Sequence, residues 1–315
     1  MRAHSVRRRA DLSSIARSGH VYQGSADPTI LIKSGGKPKS VLVGINEAST
    51  FLGFCGHHDA VTFAPLETTS FVATGEQCFL LAYRNLAREF YSKRAQHDST
   101  PIWREGDRGQ ALSTQLAKQE VISLMQQAVK ESLSNLEHHK AIYDAELVAA
   151  DFGNTDYVVI QLDRSPTIVC GGTISPSHDF DGKQIQDLDK LGVDRFALVS
   201  FSLMATEKGG VAVFAWHKED AIVAQAFVES LLTKPAAAIP DALVRMAYEL
   251  IENTFASPTW WEGLPEADRN ALESRLLNGA HPTLPVAPDG LSDDGRKYVD
   301  WRVTGIVRRE RTIDV

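Results

Sequence analysis

Cysteine is scarce. The chain has three, Cys55, Cys78 and Cys170, an odd and scattered set that supplies no disulfide framework and fits a reducing cytosol. No apolar run approaches the ~18–20 residues that a membrane span needs, so the sequence predicts a cytoplasmic chain with no membrane contact. Arg2, Arg7, Arg8, Arg9 and Arg17 crowd the amino terminus. No apolar segment follows them, which argues against a secretory signal. There is no general excess of positive charge either. The formal net charge is −7, so any nucleic-acid contact must rest on a local basic patch. Internal repeats, a dinucleotide-binding glycine fingerprint, a phosphate-binding P-loop and a nucleophile elbow are all missing. The pairs Gly171-Gly172 and Gly209-Gly210 lack the strand–loop–helix context of a phosphate cradle and read as turns.

What is there is enough for more than one compact unit, since single cores stop growing near ~250–300 residues and this chain has 315. The patterning predicts an α+β chain in four segments. Residues 1–70 hold a short helix near Asp11–Ala16, stopping by Gly19, and short strands at Val21-Tyr22, Thr29–Ile32 and Val41–Ile45. Residues 71–150 open at Thr74-Gly75-Glu76-Gln77, a capping box. A helix follows through Phe90, then a polar loop around Asp98–Gly109, then a long helix from about Ala111 to Ala149. The stripe Ile122, Met125, Val129, Leu133, Leu136, Tyr143, Leu147 on that helix is a packing seam, within the molecule or between two copies. His138-His139 falls on its polar side and reads as exposed. Residues 151–280 carry strands at 157–162, 167–170, 196–203 and 211–216, the last two joined by a hairpin at Glu207–Gly210, with helices at 221–232 and 240–253. This is an antiparallel sheet packed with helices. Residues 281–315 read as an extended basic tail with Arg302, Arg308, Arg309 and Arg311.

One stretch concentrates metal-capable groups: Phe54-Cys55-Gly56-His57-His58-Asp59. Cys55 and His58 have the spacing from which a tight turn presents two ligands to one zinc ion. Two further ligands would have to come from elsewhere; the bland alternative is a free cysteine beside two histidines. Ser177-His178-Asp179-Phe180-Asp181 could hold a divalent cation, but reads better as a loop in which Asp caps a turn. Trp260-Trp261 is a packing anchor, and Cys78 and Cys170 are small core residues.

Ala3-His4-Ser5-Val6, Gly19-His20-Val21-Tyr22, Ala48-Ser49-Thr50-Phe51, Gly53-Phe54-Cys55, His58-Asp59 and Phe79-Leu80-Leu81-Ala82-Tyr83-Arg84 together resemble a family of uncharacterised bacterial proteins. Ser177–Phe180, Glu252-Asn253-Thr254-Phe255 and Trp260-Trp261 extend that resemblance over most of residues 3–275. Members carry a Cys-x4-Cys pair just before the Ala-His-Ser motif. The resemblance therefore implies a longer reading frame with that pair upstream of Met1, or else a chain that has lost its zinc. The front part also resembles HNH-type treble-clef modules. This likeness implies a structural zinc held by Cys55 and His58, with Asp59 at the catalytic metal position and His4 as the base. Asp59 stands where those modules have a histidine. Arg7, Arg8 and Arg9 would then hold phosphates.

Two functions follow as expectations. One is a nucleic-acid-acting protein, a divalent-metal nuclease of bacterial defence or of a mobile element. The other is a non-enzymatic interaction protein whose Cys/His cluster only stabilises the fold and whose long helix forms a homodimer.

Overall fold

The structure, a computed structural model, describes residues 3–25, 27–188, 195–280 and 287–309. In chain order it runs β1 (Ala3–His4), a π-helical turn over Arg8–Leu12 leading into α1 (Ser13–Ile15), β2 (His20–Ser25), α2 (Pro28–Lys33), β3 (Lys39–Gly44), β4 (Thr50–Phe51), α3 (Gly56–Thr62), α4 (Ala64–Glu67), α5 (Gly75–Arg104) and α6 (Leu112–Ala149). There follow β5 (Thr155–Leu162), β6 (Ile168–Ile174), β7 (Val199–Thr206), β8 (Gly209–His217), α7 (Ala221–Leu232), α8 (Ile239–Leu250), β9 (Thr254–Ala256), α9 (Pro258–Gly263), α10 (Glu266–Ala280) and β10 (Val303–Arg308).

The chain is α+β, built on an eight-stranded antiparallel sheet in the order β10-β5-β8-β7-β6-β9-β2-β3. Strand alternation divides its central residues between two layers. Val158, Ile160 and Leu162 of β5 and Ala212, Phe214 and Trp216 of β8 pack with α7 and α8. Val159, Val211, Val213 and Ala215 pack instead with Phe79, Leu80, Tyr83 and Leu86 of α5. The sheet takes strands from the first, third and fourth segments expected from sequence, while the second lies across one face. The β2–β3 hairpin is continuous with this sheet through β9; the N-terminal residues do not stand apart as a free zinc module.

Local signals explain most elements. Thr74 Oγ1 accepts from the Gln77 N–H at 3.1 Å, starting α5. The reciprocal half of the capping box is replaced: Gln77 Oε1 accepts from Val72 N–H and its amide donates to Pro65 and Ser70 carbonyls. The Glu207-Lys208 hairpin closes β7 on β8 with Thr206 opposite Gly209, whose φ of 137° suits glycine alone.

Four expectations are corrected. Residues 29–32 are helical: Asp27 Oδ1 accepts from the Thr29 N–H and Pro28 sits at the first helical position, so the cap outweighs the β-branched run. The segment from Asp98 is not a loop, because α5 continues through Pro101. Pro101 has no N–H for the His97 carbonyl, and Thr100 Oγ1 donates to that oxygen at 2.7 Å instead. His139 is not exposed but only 4% accessible. The described part of the tail, residues 287–309, is not a loose arm. Tyr298, Val299 and Trp301 are buried, Asp241 Oδ1 accepts from the Tyr298 and Val299 N–H groups, and β10 pairs with β5 at the sheet edge. Arg311 lies outside the described residues.

Candidate functional site

The first residues form a small two-stranded antiparallel sheet of their own with β4, Ala3 opposite Phe51 and His4 opposite Thr50. The turn before β4 holds Ser49 at φ 60°, a left-handed conformation that a serine adopts only when its surroundings fix it. Here they do: Ser49 Oγ accepts from the Val6 N–H at 2.8 Å and lies 2.7 Å from Ser5 Oγ, which in turn accepts from Asn253 Nδ2 at 3.0 Å. This buried polar chain ties β1 to the end of β9.

His4 is half-buried. Its Nδ1 lies 3.0 Å from the Ala48 carbonyl oxygen. A carbonyl only accepts, so Nδ1 carries the hydrogen and Nε2 of the neutral ring keeps a free lone pair. Burial, aided by the Arg8 charge, holds the imidazole below its ordinary value against the opposing pull of the Ala48 carbonyl, Asp59 and Glu67.

Asp59 projects from α3, the helix that directly follows β4. Its Oδ1 is buried and has no hydrogen-bond partner among the described residues. Burial raises its carboxyl, with Glu67 adding to the effect and Arg84 and His4 opposing it. Arg84 is 2% exposed. Its Nη1 donates to Glu67 Oε1 at 2.7 Å and its guanidinium lies 4.1 Å above the Phe63 ring. Arg84 and Glu67 thus form an ion pair whose charges, with that of His4, act on Asp59.

Cys55 is exposed and caps α3, its Sγ accepting from the His58 N–H at 3.5 Å; His58 Nδ1 lies 3.3 Å from the same sulfur. The thiol and the imidazole therefore face each other. No described group of three or more His, Cys, Asp or Glu side chains is placed to hold a metal ion. Cys55 and His58 would supply only two of the four ligands that a structural zinc takes, and His57 is turned out to solvent.

The arginine run divides. Arg7 is buried: its Nε and Nη2 grip both oxygens of Asp11 at 2.9 and 2.8 Å, and Nη2 also donates to the Ala205 carbonyl at 2.8 Å. It staples the amino terminus to β7 and has no face for a phosphate. Arg8 is exposed and donates to Asn46 Oδ1 at 2.7 Å. The Arg9 side chain lies outside what the structure describes.

Sequence reasoning missed Glu67 and Arg84. The signal was there for Arg84, a charge inside the apolar run Phe79–Ala87, since a buried arginine demands an acidic partner. It also missed a second buried group, in which His139 and Glu146 on α6 face, respectively, Asp220 in the turn after β8 and His217, the last residue of β8. Elsewhere Asp179 Oδ1 accepts from the Asp181 and Lys183 N–H groups as a turn cap. Trp261 is buried and stacks on Tyr248 at 5.9 Å. Burial pushes the Cys78 and Cys170 thiols up to about 12, far from a reactive thiolate. Among the described residues no helix is long and apolar enough to cross a membrane. No known family model, characterised protein or solved structure matches this chain.

Proposed function

We propose that the His4–Asp59 group is a hydrolytic centre acting on a phosphodiester of nucleic acid. The observation that carries this reading is the His4 tautomer. Nδ1–H is held by the Ala48 carbonyl, Nε2 is left to accept, and burial favours the neutral ring. Those are the requirements of a general base that takes a proton from an attacking water. Asp59, with one buried unpaired oxygen, would hold a divalent ion, in keeping with sites that use one or two carboxylates together with substrate phosphates. Such an ion supplies charge neutralisation at the phosphate. Arg8 is exposed and would contact the substrate backbone.

A second reading draws on a different observation. Arg7 is consumed by Asp11 and Ala205, and Cys55 serves α3 as its cap. On that view the cluster stabilises the fold and the chain is an interaction protein. Nicking of supercoiled plasmid in magnesium or manganese, together with metal analysis of the purified chain, separates the two. Nicking that His4→Ala abolishes at unchanged melting temperature supports the hydrolase. Absence of nicking in either ion overturns it in favour of the interaction protein.

A further inference from the structure

Helix α6 runs for 38 residues, and its first half packs only along one side. Gln119 Nε2 donates to the Arg104 carbonyl and to Asp107 Oδ2, both at 2.9 Å, and Gln126 Oε1 accepts from Arg104 Nε at 3.1 Å. Val129 is buried on the same side. The side turned away carries Ala117, Val121, Leu124 and Ala128, at steps of four, three and four, the spacing of a coiled-coil seam. All four are exposed, Val121 by 45% and Leu124 by 56%.

We infer that this stripe is the contact face of a homodimer in which two copies of α6 pack antiparallel. Three features select a second copy. The stripe reads small, large, large, small in both directions. A two-fold axis between Ile122 and Ser123 then sets Ala117 opposite Ala128 and Val121 opposite Leu124, an isologous pairing in which residues of similar size meet. Charge agrees: residues 111–129 contain only Lys118 and Glu120. Under the same axis Lys118 meets Gln127 and Glu120 meets Met125, so no like charges face each other. In a chain of net charge −7, this nearly neutral band adds little repulsion between two copies. The seam spans about three helical turns. That is short against specific interfaces of roughly 1,200–2,000 Å², so the dimer forms in the micromolar range.

Sedimentation equilibrium on the whole chain from about 1 to 100 µM tests the pairing, given the affinities short interfaces reach. We expect a concentration-dependent dimer, weakened at least tenfold by Leu124→Glu and by Val121→Glu, with unchanged circular dichroism because both sites face solvent. In a Cys55→Ser background, a mixture of Val121→Cys and Leu124→Cys chains cross-links more than either alone. A monomer at the highest concentration overturns the inference. So does a dimer indifferent to the glutamates, or a Leu124→Cys chain that cross-links as well alone as in the mixture.

Discussion

Nε2 of His139 lies 3.2 Å from Oδ2 of Asp220, with both side chains less than a tenth exposed. Nδ1 of the same ring is 2.9 Å from the Asn135 carbonyl. Both nitrogens face acceptors, so both bonds form only on the imidazolium. Burial opposes the charge, but the Asp220 hydrogen bond and charge, with the Asn135 carbonyl, outweigh it, and the ring is raised above its ordinary value. His217 contrasts with it: Nδ1 accepts from the Glu219 N–H while Nε2 faces Glu146, which a neutral ring satisfies.

A pH dependence of stability follows. A raised histidine stabilises fully below its unfolded value near ~6.5, and that contribution fades as pH climbs through the higher folded value. Urea midpoints should therefore drop in wild type as pH rises above about 6.5, and drop less in His139→Gln. His139→Ala leaves Asp220 buried alone and should cost about 3–5 kcal/mol at pH 6. Equal slopes in wild type and His139→Gln would show that this pair does not titrate.

Arg7 and Asp11 form the second buried pair, and it carries a span of the fold with it, because Arg7 also holds the Ala205 carbonyl. Arg7→Ala strands a carboxylate that is 2% exposed. The expected cost at pH 7 is about 3–5 kcal/mol in a urea titration. Burial already raises the Asp11 carboxyl beside its arginine, and without Arg7 it rises further. A raised carboxyl favours the folded state as pH falls, so the deficit of Arg7→Ala should shrink toward pH 4–5, near the unfolded carboxyl value of about 3.9. Replacing both, Arg7→Met with Asp11→Leu, should cost less than Arg7→Ala alone.

These pairs mark the limit of what the sequence showed. Elements set by neighbours in the chain were legible: the Thr74 cap, the bounds of α6, the β7–β8 hairpin, the antiparallel α+β character. Misreadings were also local where a competing cap had been undervalued, as at Asp27-Pro28. The rest depended on distance along the chain. His139 finds its partner 81 residues away and Arg7 finds Ala205 at 198, and no periodicity encodes either. The joining of β2 and β3 to β9, and of β10 to β5, is a matter of sheet order, which each strand's own pattern leaves open. His4, Asp59, Cys55 and His58 were picked out by residue type. Their division into one coupled group and one helix cap came only from the fold.

Gly171 lies under α5 so closely that a Cβ there would sit 2.7 Å from Asn85 Oδ1. Asn85 has little room to move, since its Nδ2 bonds Ser200 Oγ at 3.0 Å and the Phe201 carbonyl at 3.1 Å. Gly171→Ala should destabilise by about 1–3 kcal/mol. In an Asn85→Ala background the same change should cost less, with a coupling of about 0.5–3 kcal/mol in a double-mutant cycle. Additive costs would mean that the helix shifts as a body instead of the amide yielding.

Chemistry and packing make different demands on His4 and Asp59. A base must be unprotonated, and His4 is held below its ordinary value near ~6.5. Nicking should therefore rise with pH through a midpoint under about 6.5 and level off above it. His4→Ala should lower the rate on the order of 10²–10⁴-fold, the usual contribution of a general base. Asp59→Asn should remove the activity while raising the thermal midpoint, or at least leaving it unchanged. Its carboxyl is raised by burial, so at pH 7 the ionised side chain costs the folded state free energy that an amide does not. A catalytic carboxylate is thus maintained against the interest of the fold, whereas a structural one is not. If Asp59→Asn melts lower than wild type, the side chain is holding α3 in place, and the group belongs to packing instead of catalysis.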